Sequence, residues 1–282
     1  MNRPYWMMLA PWLLALLSLF ALPTLALVAL SFTEWDFLSA PRWVGLRNYG
    51  DIFTADPRFW QSLQVTGVYT LLYVPTEMVG ATLLGVLMNQ KVRLVGIYRT
   101  LCYLPTVLSG VASTLIGMWL FHPEGGLVNR ELGLLGLVGP RWLLNPDTAL
   151  VALWLMSLWG LARSALLVLA ALQGIPLSLY EAARIDGAGE VRAFFLITLP
   201  MLAPTLAFNL VMSTAATLQT FSGAYVATAG GPLDATLFYV LYLYQKGFQQ
   251  LQMGYAAALA VLLFILCAGI AWSLTRMVPE EI

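Results

Sequence analysis

Two ionisable side chains, Glu77 and Arg163, lie inside long apolar stretches of this sequence. A charged residue at the centre of a helix in a lipid bilayer costs about 2.5–3.5 kcal/mol on insertion scales, so such groups usually face a cavity or a partner. Each is therefore a candidate for contact with a polar ligand. The alternatives are an interior hydrogen bond or ion pair for either residue, or a position of Arg163 near a helix end with its guanidinium at the membrane surface. Only their opposite charge favours pairing between the two.

A polar stripe at helical spacing follows further along the chain. It consists of Asn209, Ser213, Thr217 and Thr220. A hydroxylated ligand needs hydrogen-bonding partners and a flat apolar face, which Asn, Gln, Tyr and Trp side chains supply. Small hydroxyl residues at this spacing also allow membrane helices to pack closely, and we interpret the Ser and Thr residues of the stripe in that way. The candidates with a longer reach toward a ligand are Asn209, Gln219 and Tyr225, and Trp159 is a candidate for ring stacking or for packing.

The stretch 176-PLSLYEAARIDGAGEVRAFFLITLP-200 is polar within an otherwise apolar sequence. Ser178 and Glu181 have the spacing of a capping box, which predicts that a helix begins at the serine. Gly187 is placed to end this helix, because glycine accepts the left-handed conformation common just beyond a helix C-terminus. A second helical segment should follow and close at Pro200.

The first of these helices carries two adjacent small residues, Ala182 and Ala183. Because small side chains let another backbone approach closely, the pattern predicts a helix that inserts into a groove of a partner. The alternative is a solvated loop that only connects two spans.

The composition is that of a protein that crosses a membrane several times. Of the 282 residues, 60% are apolar and 10% are charged, and the mean hydropathy is +0.79. Acidic and basic residues balance at 14 each, so no overall charge attracts nucleic acid. Cys102 and Cys267 lie in apolar runs and are expected to pack rather than to bind metal or form a disulfide. No H-E-x-x-H motif or nucleophile elbow indicates catalysis, and no G-x-x-x-x-G-K-[ST] loop indicates ATP binding.

Six segments approach the roughly 20 apolar residues that a helix needs to cross a bilayer. They lie near 7–30, 62–88, 101–121, 148–172, 203–227 and 252–275. No soluble domain fits between them, so we predict an all-α integral membrane protein whose residues 1–282 form a single transmembrane domain. The first segment is interpreted as a retained span, because its apolar run exceeds the about 7–15 residues of a signal-peptide core.

The distribution of Lys and Arg predicts the orientation of such a protein. With both ends in the cytoplasm, seven of these residues fall inside, Arg3 and Lys91 among them, and six fall outside. This small excess favours cytoplasmic termini, with the polar loop 173–202 on the same side.

A longer motif runs through this loop: E-A-A-x-x-D-G-A, an aromatic residue, and then x-x-x-x-P. Its residues here are Glu181, Ala182, Ala183, Asp186, Gly187, Ala188, Phe195 and Pro200. The pattern resembles the cytoplasmic loop of the permease subunits of binding-protein-dependent ABC importers. The resemblance extends over nearly the whole chain and is to the sugar-importer branch, in particular the maltose-type first permease. It rests on 31-SFTEWDF-37, 44-VGLRNYGDIF-53, 98-YRTLCYLP-105, 125-GGLVN-129, 228-TAGGP-232 and 254-GYAAALA-260. One departure is Ser222 after Phe221, where many relatives carry an acidic residue.

The resemblance implies a type I ABC importer permease fold in the cell (inner) membrane, with residues 178–190 as a cytoplasmic coupling helix. It implies a heterodimer with a second permease, two copies of a cytoplasmic ATPase subunit that bind ATP and Mg, and an extracytoplasmic sugar-binding protein. This chain itself would be no enzyme and would bind no cofactor or metal. Closure of the ATPase dimer would move the short helix and rotate the spans from inward-facing to outward-facing. The implied ATPase-coupling residues are Glu181, Ala182, Ala183, Asp186, Gly187 and Ala188.

Other functions stay open beside a sugar importer. The chain could be an ABC permease for a glycerol phosphate or another polar solute, or an ion-coupled secondary transporter that works alone with Glu77 as its proton site. An intramembrane enzyme would use Glu77, Arg163 and His122, but no catalytic motif supports it. Only the importer requires an ATPase and a sister permease for activity.

Overall fold

The computed structural model describes residues 3–90 and 92–277, and this part of the chain is mostly helical. Lys91 and the two chain ends, which entered the predicted charge distribution and the predicted domain, lie outside it. The helices are α1 (Arg3–Ala15), α2 (Leu22–Leu30), α3 (Arg47–Thr54), α4 (Pro57–Met88), α5 (Val95–Val107), α6 (Gly110–Leu120), α7 (Leu127–Leu134), α8 (Pro146–Ser157), α9 (Leu161–Gln173), α10 (Leu177–Ile185), α11 (Glu190–Ala193), α12 (Leu199–Leu218), α13 (Ser222–Ala227), α14 (Tyr239–Tyr244) and α15 (Met253–Met277). Wider π turns at Leu16–Ala21 and Phe194–Thr198 and a 3₁₀ turn at Leu158–Gly160 join successive helices, and a π turn at Gln245–Gln249 extends α14.

Among the described residues, five continuous helical stretches are long and apolar enough to cross a membrane. They are Met8–Leu30, Pro57–Met88, Pro146–Gln173, Glu190–Ala227 and Met253–Arg276. The pair α5 and α6 passes the same test together, so the six predicted spans are present when this pair is counted as one. The all-α membrane fold is confirmed.

The third span is not the single helix that was predicted for residues 101–121. α5 and α6 meet at an angle of 98°. Leu108 and Ser109 between them adopt extended backbone conformations, and the Ser109 hydroxyl accepts a hydrogen bond from the N–H of Ala112. A serine that caps a new helix in this way competes with continuation of the old one, which hydropathy alone does not register.

The chain divides into two compact units. One consists of the residues up to Trp60 with Tyr242–Ala268, and the other of Gln61–Leu241 with the residues from Gly269 onward. The single transmembrane domain predicted from the sequence stays a prediction, and each unit is described by itself.

The first unit contains a short hairpin of β1 (Thr33–Glu34) and β2 (Arg42–Trp43), which lies against the start of α15. The N–H groups of Met253 and Gly254 donate to the carbonyl of Trp35 at 2.8 and 3.3 Å. The buried Asn48 amide donates to the carbonyls of Ser31 and Thr33, both at 2.9 Å. These bonds satisfy backbone groups that the two-residue strands leave without ladder partners.

Asp56 joins the beginnings of α4 and α15 within this unit. Its carboxylate accepts the N–H groups at the start of α4 and the hydroxyls of Tyr242 and Tyr255. The Lys246 ammonium lies 4.9 Å from the centre of the Tyr255 ring. Burial raises the pKa of the Asp56 carboxyl, but the two tyrosine hydroxyls and Lys246 outweigh it and hold that pKa below its usual value.

The second unit is built around contacts of α4, α9 and α12. Its core includes Ala81 and Met88 of α4 against Ala165 and Leu169 of α9. Small residues bring these helices together: a Cβ at Gly85 would lie 2.8 Å from the Val168 side chain and 3.2 Å from the Ala165 carbonyl. Close approach of α4 to α9 places the mid-helix polar residues of both in reach of one another.

Candidate functional site

The predicted partner-binding helix exists as α10, and its N-cap lies two residues earlier than expected. Pro176 is its N-cap, and no side chain caps it, so the predicted capping box of Ser178 and Glu181 is wrong. The Pro176 carbonyl accepts the N–H of Leu179 at 3.2 Å. With proline at the N-cap, Ser178 lies inside the first turn, where its hydroxyl is no longer placed to accept the amides that a cap accepts.

The end of α10 is formed as expected, by Gly187. Its φ is +78°, and its N–H donates to the Arg184 carbonyl at 3.1 Å. The N–H of Ala188 donates to the Ala183 carbonyl at 2.8 Å. These two bonds form a Schellman motif, which ends the helix and satisfies its last carbonyls.

Two helices are thus present, as the glycine at position 187 predicted, and the single coupling helix over residues 178–190 that the resemblance implied is not. α10 ends at Ile185, and α11 begins at Glu190. The expectation that Pro200 closes the second segment is also wrong, because the helix continues through it into α12. The π turn Phe194–Thr198 precedes the proline and places it in the first turn of α12, where a missing N–H is tolerated.

α10 presents apolar and small side chains to its surroundings. Leu177 and Ile185 are 69% and 88% exposed, and Glu181, Ala182, Asp186 and Gly187 are exposed too, with Ala183 and Ala188 half-buried. The Tyr180 hydroxyl and Thr198 Oγ1 share a hydrogen bond of 2.9 Å, which ties α10 to the start of the fifth span. α10 is thereby in direct contact with a predicted membrane-spanning helix.

A second candidate site is a cavity of about 510 Å³ inside the second unit. It is lined by residues of α4, the α5–α6 bend, α8, α9 and α12. Four of the six predicted ligand-contact residues line it: Glu77, Trp159, Arg163 and Asn209. Its size lies within the usual range of about 300–1,000 Å³ for small-molecule sites.

Glu77 of α4 connects three helices through hydrogen bonds in this cavity. Its side chain is only 7% exposed and accepts hydrogen bonds from Ser164 of α9, at 2.6 Å, and from Ser213 of α12. The interior hydrogen bond that the sequence left as an alternative is thus present. Ser213, interpreted as a packing residue, is also a donor to this carboxylate.

Arg163 lies well inside its span. It is ten residues before the end of α9 at Gln173, or about 15 Å along the helix. Arg163 therefore lies in the interior of the apolar stretch Pro146–Gln173 and not at one of its ends. Arg163 and Trp159 are both exposed in this chain while lining the cavity, so the chain alone does not cover that side of it.

Asn209 is buried at 4% exposure, and its Nδ2 has no hydrogen-bond partner within the described residues. A buried amide without a partner costs about 1–3 kcal/mol, so this group is arranged for a ligand or a water.

The other two predicted contact residues do not line this cavity. Gln219 is exposed and donates to the Ala215 carbonyl of its own helix at 3.0 Å. The Tyr225 ring stacks on Phe221 with centroids 5.2 Å apart. Their role as ligand contacts stays a prediction.

Sequence reasoning missed Ser164 and Tyr73, which complete the cavity wall beside Arg163 and Glu77. Ser164 directly follows Arg163, and its spacing resembles that of any packed serine in a span. Its role depends on the approach of α9 to α4, for which the sequence contains no local signal.

Comparison with known proteins places these features in a family. The model of the family described as "Binding-protein-dependent transport system inner membrane component" matches residues 78–278. The chain is 42% identical over 262 residues to "Probable ABC transporter permease protein YesP" of Bacillus subtilis, covering 92% of this chain and 84% of that protein. It is 37% identical over 263 residues to "Sulfoquinovosyl glycerol transport system permease protein SmoG" of Agrobacterium fabrum, covering 92% and 85%. With "Lactose transport system permease protein LacF" of Rhizobium radiobacter it shares 34% identity over 275 residues, covering 95% and 91%.

The fold is similar to that of a chain in the crystal structure of a bacterial ABC transporter that imports the acidic polysaccharide alginate. The TM-score is 0.85 at 22% sequence identity, covering 97% of this chain and 94% of that one. A chain of the alginate transporter in complex with an alginate pentasaccharide-bound periplasmic protein matches with a TM-score of 0.86.

Proposed function

This chain belongs to the family of binding-protein-dependent transport system inner membrane components, and from that premise we propose that it is the permease subunit of an ATP-driven sugar importer. The observation that carries the proposal is the pair of sites on one chain: an exposed short helix tied to a span, and a polar cavity between spans. A permease needs both, one to receive a force and one to hold a solute.

We propose that a second permease covers the open side of the cavity, where Trp159 and Arg163 are exposed. The two permeases would form the translocation path together, and an extracytoplasmic binding protein would deliver the sugar. Similar permeases are named for lactose, for arabinooligosaccharides and for sulfoquinovosyl glycerol, which supports a sugar as the solute.

α10 is the proposed contact with a cytoplasmic ATPase subunit, of which the complex would contain two copies. ATP and Mg would bind to those subunits. The exposed Leu177 and Ile185 suit burial in a groove of that partner, and the small Ala182 permits close approach. The link from Tyr180 to Thr198 would pass the motion of α10 to the fifth span. Spans that rotate as near-rigid bodies would then open the cavity to one side or the other.

The proposed orientation has both termini and α10 in the cytoplasm and α3 outside. Single cysteines at Gly50 and Glu190, in a chain whose Cys102 and Cys267 have been replaced, should then react with a membrane-impermeant maleimide from opposite sides. Both positions are exposed, and a side chain at Gly50 meets nothing within 4 Å. Labelling is measured in intact cells and in inverted vesicles. Modification of both cysteines from the same side would contradict the six-span arrangement.

The energy source for uptake distinguishes the proposed importer, which needs ATP, from a secondary transporter that uses Glu77 as its proton site. In proteoliposomes that contain the full complex, Glu77→Gln should lower sugar uptake only about two- to tenfold, because the amide oxygen still accepts from one of the two serines. Uptake should require ATP and the ATPase subunit and should persist with an uncoupler present. If Glu77→Gln abolished uptake, and wild-type uptake vanished when the proton gradient was collapsed, the importer assignment would be overturned.

A further inference from the structure

The cavity of the second unit contains a cation without a counter-charge. Among the described side chains of residues 8–90 and 92–276, Arg163 forms no ion pair and no hydrogen bond. Arg163 lies inside a membrane-spanning helix, where an unpaired guanidinium is costly. Its position therefore requires an acceptor that this part of the chain does not provide.

Glu77 lines the same cavity but is not that acceptor. Both of its carboxylate oxygens are engaged, one by Ser164 and one by Ser213. Within the described residues no ion pair joins Glu77 to Arg163, although Ser164, the next residue of α9, donates to Glu77. The two opposite charges thus line one cavity without forming an ion pair.

The other unsatisfied group is also a donor. Asn209 Nδ2 is buried without a partner, and Asn209 lines the cavity. The Arg163 guanidinium and the Asn209 amide thus both lack a hydrogen-bond acceptor, and the guanidinium also lacks a negative charge. Hydrogen bonds between a guanidinium and an anion are roughly twice as strong as those between neutral groups. Their strength increases further where water is excluded, because the local dielectric constant is lower.

We propose that this cavity takes a sugar that carries an anionic group, a carboxylate or a sulfate or sulfonate, and that Arg163 and Asn209 hold that group. The proposal rests on the proposed function of the chain as a sugar permease. Trp159 offers a flat face to the sugar ring. Glu77, whose charge would repel the anion, faces the part of the sugar that bears only hydroxyls, and this fixes the direction in which the ligand lies.

The test is equilibrium binding to the complete permease–ATPase complex in nanodiscs, without the binding protein, so that only the cavity selects. The ligands are two matched pairs: tri-galacturonate with its neutral methyl ester, and glucose 6-sulfate with glucose. Wild type should bind the charged member of at least one pair about tenfold or more tightly than the neutral member.

Arg163→Gln should reduce that preference to about one by weakening the binding of the charged ligand alone, and Arg163→Lys should restore part of the preference. Asn209→Leu should weaken the charged ligand about three- to tenfold.

Arg130→Gln is the matched control, because Arg130 is an exposed arginine of α7 that does not line the cavity. It should leave both pairs unchanged. Equal binding of charged and neutral members by wild type would overturn the proposal. So would equal weakening of both members by Arg163→Gln, which would make Arg163 a partner of sugar hydroxyls.

Loss of the second permease from the Arg163→Gln complex would also overturn the proposal, since the counter-charge would then lie on that partner. The proposed function has a separate readout, ATP-driven uptake of any sugar by wild type. If that uptake occurs and the charge preference does not, only the anion proposal fails.

Discussion

Gly187→Val is expected to lower sugar-stimulated ATP hydrolysis by the reconstituted complex at least about tenfold, while the chain still inserts in the membrane. The backbone at Gly187 has a φ of +78°, which a β-branched residue disfavours by about 1–3 kcal/mol. Two hydrogen bonds depend on this conformation, those from the N–H groups of Gly187 and Ala188. Their loss would let the end of α10 unwind and would displace the surface that contacts the ATPase.

Gly189→Val supplies the matched control for this prediction. Gly189 lies two residues further on, has an ordinary φ of −73°, and has nothing within 4 Å of an added Cβ. The same side chain there adds similar bulk without backbone strain, so stimulation should stay near the wild-type level. Pull-down of the ATPase subunit and ATP hydrolysis are measured for both variants. Normal values for Gly187→Val would mean that residues 181–190 are only a solvated connector.

Gly254→Ala is expected to destabilise the first unit strongly. A Cβ at this position would lie 1.8 Å from the carbonyl oxygen of Thr33 and 2.9 Å from its carbonyl carbon. The obstacle is backbone, which cannot rotate away, so the β1 segment must separate from the start of α15. Overpacking of this kind typically costs about 1–3 kcal/mol, and the bonds from Met253 and Gly254 to Trp35 would be lost in addition. The midpoint of thermal unfolding in detergent should fall by about 5 °C or more.

Gly269→Ala tests whether the effect comes from the contact or from the helix. Gly269 lies in the same α15, and a Cβ there meets nothing within 4 Å. Alanine is also the better helix former, so this variant should be as stable as wild type or slightly more so. Equal unfolding midpoints for Gly254→Ala and wild type would contradict the close approach of Thr33 to α15.

Hydropathy was sufficient to locate the apolar spans, apart from the bend in the third, and one local motif, Gly187, was sufficient to locate the end of α10. The apolar runs are set by bilayer thickness, which is a property of the solvent and needs no tertiary information. Gly187 was identifiable because only glycine adopts a positive φ without strain, and the Schellman bonds that it permits are local. The start of α10 was misjudged because the helix begins earlier than the capping box indicated, with Pro176 as its N-cap, which leaves Ser178 within the first turn.

The bend between α5 and α6 and the composition of the cavity were decided by tertiary structure. Glu77 and Arg163 are equally conspicuous in the sequence, yet one is engaged by two serines and the other is left without a partner. That difference depends on how closely α4 approaches α9, which glycine at position 85 permits. Hydropathy and spacing determine which residues lie in the membrane, but contacts between helices far apart in sequence determine which of their polar groups remain free for a ligand.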